Sequence, residues 1–156
     1  MTAITTGSLL TDSWNMVCAI LKDQLTDTSS DSRAGSEFVV SAWPNRTDYP
    51  RSKWLNYPFV VLTNEVESAN NLTLNLTKKE KVVVFHADVY NKSQAFADRM
   101  ANQICEAMEI SESGLEGSGL TMYRMESMST SDTQDPSGAT LHLKSVNWRY
   151  DYRAIR

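Results

Sequence analysis

EKVVVFHADVYNKSQAFADRMANQICEAM, residues Glu80 to Met108, decides the fold. Its first part is a run of β-branched and aromatic residues that suits a pleated, half-buried surface, so it predicts a strand. From Asn91 the period changes. Phe96, Met100, Ile104 and Met108 recur four apart with Ala97, Ala101 and Cys105 beside them, the stripe of an amphipathic helix. Asn91 is placed to cap that helix, and Gln94, three residues on, to return a bond to the cap. A strand that runs almost directly into a helix predicts one layer of helix packed on one of sheet.

Outward from this unit, Leu9 to Leu25 predicts a first helix, with Leu10, Trp14, Val17 and Leu21 on one stripe. Leu25 to Glu37 is small and polar throughout and reads as a mobile loop. Glu37 to Ala42 is a short strand candidate, and Trp43 to Tyr57 is broken by Pro44 and Pro50 and reads as irregular. Pro58 to Thr63 is a strand with its proline at the start, where a missing donor does little harm. Leu72, Leu74 and Leu76 alternate with polar residues as an edge strand would, or as the start of the long strand, and Lys78 to Lys81 marks a turn or a solvated strand end.

After the central helix, Ile110 to Leu120 reads as a glycine-rich connection. Leu120 to Thr130 alternates weakly, with Met122 and Met128 on one face and Tyr123 and Met125 on the other. Ser129 to Gly138 has the Asp-Pro-Ser-Gly chemistry of a turn, and Ser127 to Gly138 reads as a second mobile polar loop. The last run places Val146, Trp148, Tyr150 and Tyr152 on one face and Asn147, Arg149, Asp151 and Arg153 on the other, and forms an antiparallel hairpin with the preceding strand. The fold class expected is α+β: an antiparallel sheet of four to five strands with two helices on one face, in a single domain over residues 1–156.

At 156 residues the chain can bury a sizeable core without metal or disulfide support. No apolar run approaches the ~20 residues that span a bilayer, and MTAITTGSLLTDSWN has no basic n-region or apolar h-region, so synthesis in the cytoplasm is expected. Cys18 and Cys105 then stay reduced. The N-x-S/T triplets at Asn45, Asn71, Asn75 and Asn91 carry no weight without secretion. A net charge of −4 argues against a dedicated nucleic-acid binder and is compatible with a protein that DNA passes without adhering.

Chemistry-bearing motifs are absent from the sequence. His86, Asp88 and His142 would need cross-strand alignment to hold a metal, and the default reading is solvated or core histidines. Gly114, Gly117 and Gly119 reverse the order of a phosphate fingerprint and follow a helix, so they read as a flexible loop. No catalytic residue, metal or cofactor is expected. Two stretches read as interface candidates: Trp43, Arg46, Tyr49, Arg51, Lys53, Trp54 and Tyr57, whose residue types are those enriched in binding hot spots, and the alternating charges Arg149, Asp151 and Arg153. The first stretch also suits single-stranded nucleic acid, or tryptophans tucked beneath the sheet.

The order of these elements, with PFVVL at Pro58 to Leu62, DVYNKS at Asp88 to Ser93 and WRYDYRA at Trp148 to Ala154, resembles the tail terminator and tail completion proteins of long-tailed viruses. The resemblance spans Ser8 to Ala154, and the longer Pro-rich stretch Trp43 to Tyr57 departs from it. It implies a non-enzymatic virion subunit in a homohexameric ring at the head-proximal end of the tail tube, joining the tail to the head connector while double-stranded DNA passes through. Its partners would be copies of itself, the tail tube protein and connector or adaptor proteins, with no membrane. Rival readings are a head-closure or other minor neck subunit, a small nucleic-acid-binding module built on Trp43 to Tyr57, and a small enzyme using His86 and His142.

Overall fold

The computed structural model describes residues 4–5, 7–26, 38–42, 57–69, 80–135 and 138–153. In chain order these form α1 (Leu9–Gln24), β1 (Val39–Val40), β2 (Phe59–Ala69), β3 (Glu80–Asn91), α2 (Gln94–Glu116), β4 (Leu120–Gln134) and β5 (Thr140–Tyr152). The five strands make one sheet in the order β1-β2-β3-β5-β4. The expected α+β class holds, with one difference. β1 lies parallel to β2 while every other neighbour is antiparallel, so the sheet is mixed at one margin.

The core follows from strand alternation. Register aligns Leu62, Ala87 and Val146 in one row and Phe85 with Trp148 in another, and cross-strand partners share a face. All five are fully buried against the apolar stripe of α2, which contributes Ala97, Met100, Ala101, Ile104 and Met108. Phe85 and Trp148 stack at 5.5 Å between centroids and 9° between planes, and Tyr150 meets the edge of Phe85 at 6.1 Å. α1 adds Val17, Cys18 and Leu21 to the same cluster, so both helices cover one face. Trp14 Nε1 donates to the Leu62 carbonyl at 2.7 Å, and Asn64 Nδ2 donates to the Leu10 carbonyl at 2.8 Å, which fasten α1 to β2.

Several local expectations change. Asn91 closes β3 instead of capping α2: the cap is Ser93, whose N–H donates to Asn91 Oδ1 at 3.1 Å, so the asparagine tightens the strand-to-helix turn. α2 continues to Glu116, through the stretch expected as a connection, because fully buried Leu115 prolongs its apolar stripe and outweighs Gly114. The loop expected over Ser127 to Gly138 is strand as far as Gln134, its Ser and Thr residues paired in ladder with β5. Beyond the strand, Asp135 and Ala139 clasp each other: the Asp135 N–H donates to the Ala139 carbonyl and Asp135 Oδ1 accepts from the Ala139 N–H, both at 2.9 Å. The face assignment on β4 also changes. Register shifts between Thr121 and Arg124 and between Met125 and Ser127, with Met122 at φ 57°, set Tyr123 and Met128 against the core and leave Met122 and Met125 exposed. The Leu72, Leu74, Leu76 strand and most of the Leu25 to Glu37 loop lie outside the described residues.

Gly119 joins α2 to β4 at φ +98°, and an added Cβ would come within 2.6 Å of the Arg153 carbonyl oxygen. Both backbone conformation and space therefore demand glycine. Gly119→Ala should destabilise by roughly 1–3 kcal/mol, read as a lower urea midpoint with unchanged slope. Trp148→Ala should cost about 3–5 kcal/mol in the same assay because it empties the centre of the aromatic cluster. Tyr150→Phe removes a buried hydroxyl without a well-formed hydrogen bond among the described residues, and should stay within about 1 kcal/mol of the parent.

Candidate functional site

Among the described residues, no helix covers the second face of the sheet. Alternation sends to it Thr63, Glu65 and Glu67 from β2, His86 and Asp88 from β3, Ser145, Asn147, Arg149 and Asp151 from β5, and Ser127 and Ser129 from β4. Register arranges them in rows. Thr63, His86, Asn147 and Ser127 make one, and Val61, Asp88, Ser145 and Ser129 the next.

Hydrogen bonds run along these rows. His86 Nδ1 lies 2.6 Å from Asn147 Oδ1, and Asn147 Nδ2 donates to Ser127 Oγ at 2.8 Å. Ser145 Oγ donates to Asp88 Oδ1 at 2.5 Å. His86 Nε2 reaches Glu65 Oε1 at 3.3 Å, the row's link toward β2. With an amide oxygen on one side and a carboxylate on the other, both ring nitrogens meet acceptors, which suits the imidazolium, a donor at both positions. Partial burial acts to lower the His86 pKa, but the bonds to Asn147 and Glu65 and the charges of Glu65 and Asp88 outweigh it and raise the pKa above 6.5.

Two further ion pairs cross the face. Arg124 Nη2 contacts Asp151 Oδ2 at 3.3 Å, and Arg149 Nη1 contacts Glu126 Oε1 at 3.2 Å. Acids and bases thus interleave across the sheet, and among the described residues no basic stripe forms on this face. At its far end Tyr57, Phe59, Tyr90 and Leu141 make a small separate apolar cluster, in which the Tyr57 hydroxyl donates to Asp135 Oδ2 at 3.3 Å. Burial first, then the charge of Asp135, raises the Tyr57 pKa.

Of the candidate interface residues, Trp43, Arg46, Tyr49, Arg51, Lys53 and Trp54 lie outside the described residues. Tyr57 is buried. Arg149 and Asp151 stand on the helix-free face, engaged in the pairs just described, and exposed Arg153 follows β5, where its N–H donates to the Gly119 carbonyl at 2.8 Å. The metal candidates are not brought together: His142 pairs with Asp132 at 2.8 Å, in the row of Asn91 and five residues along β3 from His86. Among the described residues no group of three potential ligands could hold a metal ion, and no helix is long and apolar enough to cross a membrane. Sequence reasoning did not connect His86 to Asn147, Ser127 and Glu65, since that ladder depends on the registers of three strand pairs.

No family model matches the chain, and no curated protein does. Among solved structures, one neighbour is a chain from the virion of a native gene transfer agent particle. It shares 15% identity over 87% of this chain and 94% of its own, with a TM-score of 0.43, a likeness too loose to fix a family or a role.

A pKa raised on folding means that the His86 contribution to stability is fully present below the ordinary histidine value and is lost as pH rises through the higher folded value. The His86 ring protons should therefore titrate above pH 6.5 in an NMR series. Glu65→Gln should move that midpoint downward, and an unmoved midpoint would show that the carboxylate does not act on the ring.

Proposed function

We propose that this chain is a structural virion protein that forms a homohexameric ring at the head-proximal end of the tail tube of a long-tailed virus. The ring ends the tail, joins it to connector or adaptor proteins of the head, and lets double-stranded DNA pass. The proposal begins from the family resemblance carried by Pro58 to Leu62, Asp88 to Ser93 and Trp148 to Ala154. The observation that supports it best is the helix-free face. A wall along which DNA moves must not hold phosphate, and this face offers hydroxyls and an amide tied to one another, with both of its arginines paired to acids.

The reading is compatible with the net charge of −4, which disfavours counterion-releasing contacts along a DNA backbone. In it, Arg153 and the segment containing Trp43, Arg46, Tyr49, Arg51, Lys53 and Trp54 serve contacts between subunits or with neck partners, while Arg149 and Asp151, expected there too, line the helix-free wall in their pairs with Glu126 and Arg124.

Light scattering on the purified protein should give six times the chain mass of 17.5 kDa, and labelled antibody should mark the joint between head and tail in particle images. A label on the capsid face of the connector would favour a head-closure subunit. Tight DNA binding by the isolated protein that falls steeply between about 50 and 200 mM salt would favour the nucleic-acid-binding module instead.

A further inference from the structure

The sheet has two open margins that differ in kind. β4 is the last strand on one side, 15 residues long, and the described residues add no strand beyond it. Long edge strands are usually blunted by proline, lysine or covering elements, because their outward N–H and C=O groups recruit other strands. β4 contains neither proline nor lysine; its protection is limited to the two register irregularities that flank Arg124 and Met125, and the ladder with β5 is continuous from Ser127 to Gln134. On the other side, β1 covers only Val60 and Val61 of β2. The Val60 N–H donates to the Phe38 carbonyl, and the Leu62 carbonyl accepts from Trp14 Nε1, both at 2.7 Å, which fixes the residues whose backbone groups face outward. With a period of two, the backbone groups of Asn64, Val66 and Ser68 share that edge, and no described strand takes them up.

Side chains beside the two margins differ in a matching way. Met125 on β4 is 50% exposed and stands in register with Trp148, on the helix side of the sheet. Next to the open part of β2, on that same side, a largely apolar groove of about 360 Å³ is lined by Leu10, Thr11, Trp14, Leu62 and Asn64. Following the register across the sheet, Asn64 aligns with Phe85, Trp148 and Met125, so knob and groove occupy the same row at opposite margins. On the helix-free side the next row runs from Glu65 through Val84 and Arg149 to Arg124, acid at one margin and base at the other.

We propose that the groove and the open edge of β2 receive the β4 strand of a second copy of this chain, with Met125 seated in the groove and Arg124 facing Glu65 and Glu67. Strand direction supports a head-to-tail contact. β2 is antiparallel to β3, β3 to β5 and β5 to β4, so β4 runs opposite to β2. Copies related by rotation about an axis along the strands then pair β4 with the next β2 in antiparallel ladder, and the sheet continues from copy to copy. A closed ring also needs a stagger between successive strands, and shifts of an even number of residues keep Met125 on the helix side. This inference deepens the ring reading by naming the surface that joins its subunits.

The test uses the full chain. Met125→Glu places a charge on a half-exposed side chain, so the monomer should keep its far-ultraviolet spectrum and melting temperature. The concentration at half-assembly should rise at least ~tenfold, the loss expected of a central anchor, while Ile110→Glu on the exposed face of α2 should leave it unchanged. Copies bearing Leu10→Cys mixed with copies bearing Met125→Cys, both with Cys105→Ser, should form a disulfide between the two kinds of copy. Assembly untouched by Met125→Glu, or an assembled mixture without that cross-link, overturns the edge pairing and leaves the ring standing. The cross-link found in open chains keeps the pairing and overturns the ring. A strictly monomeric protein, or one that forms only links between two Met125→Cys copies, overturns both.

Discussion

The stacking of Phe85 on Trp148 beneath α2 is the contact on which the rest of the molecule depends. It joins β3 to β5 through residues 63 apart in sequence yet adjacent in the sheet, and so fixes the one non-sequential neighbour in the strand order. With that register set, every second residue of β2, β3 and β5 is assigned to the core or to the open face, because a slip of one would exchange the two. Packing therefore does more than stabilise here. It decides which residues are available for function.

The two faces illustrate how differently sequence speaks about core and surface. Glu80 to Met108 predicts a strand and a helix, and both exist, because a period of two followed by a period near four is written in the apolar residues themselves. The common face of Val146, Trp148, Tyr150 and Tyr152 was legible for the same reason. β4 was not. Ser127 to Gln134 is rich in small polar residues that suit a turn as well as a strand, and pairing with β5 decided the outcome. The extension of α2 past Gly114 was another tertiary effect, since Leu115 is fully buried in the shared core.

The polar ladder lay further from reach. Nothing in the spacing of His86, Asn147 and Ser127 joins them, and the chain between them includes an entire helix and a hairpin. Bulges added a second obstacle, for the irregularities around Met122 and Glu126 break the alternation from which faces are inferred. Those irregularities also leave Met122 and Met125 outside the core, so the feature that defeated face assignment on β4 is the one that gives its margin apolar character.

One corner of the molecule gathers Ile4 and Arg153, from near the two ends of the chain. The Ile4 N–H donates to the Ser118 carbonyl at 3.3 Å, the Tyr152 hydroxyl donates to the Ile4 carbonyl at 2.9 Å, and Arg153 is bonded to Gly119. Tension applied through the segment ahead of Ile4 or the one after Arg153 therefore converges on a single glycine turn, while Asp135 and Ala139 lie at the other extremity of β4 and β5, remote from that load. Pulling on either terminus would load the same pole of the molecule.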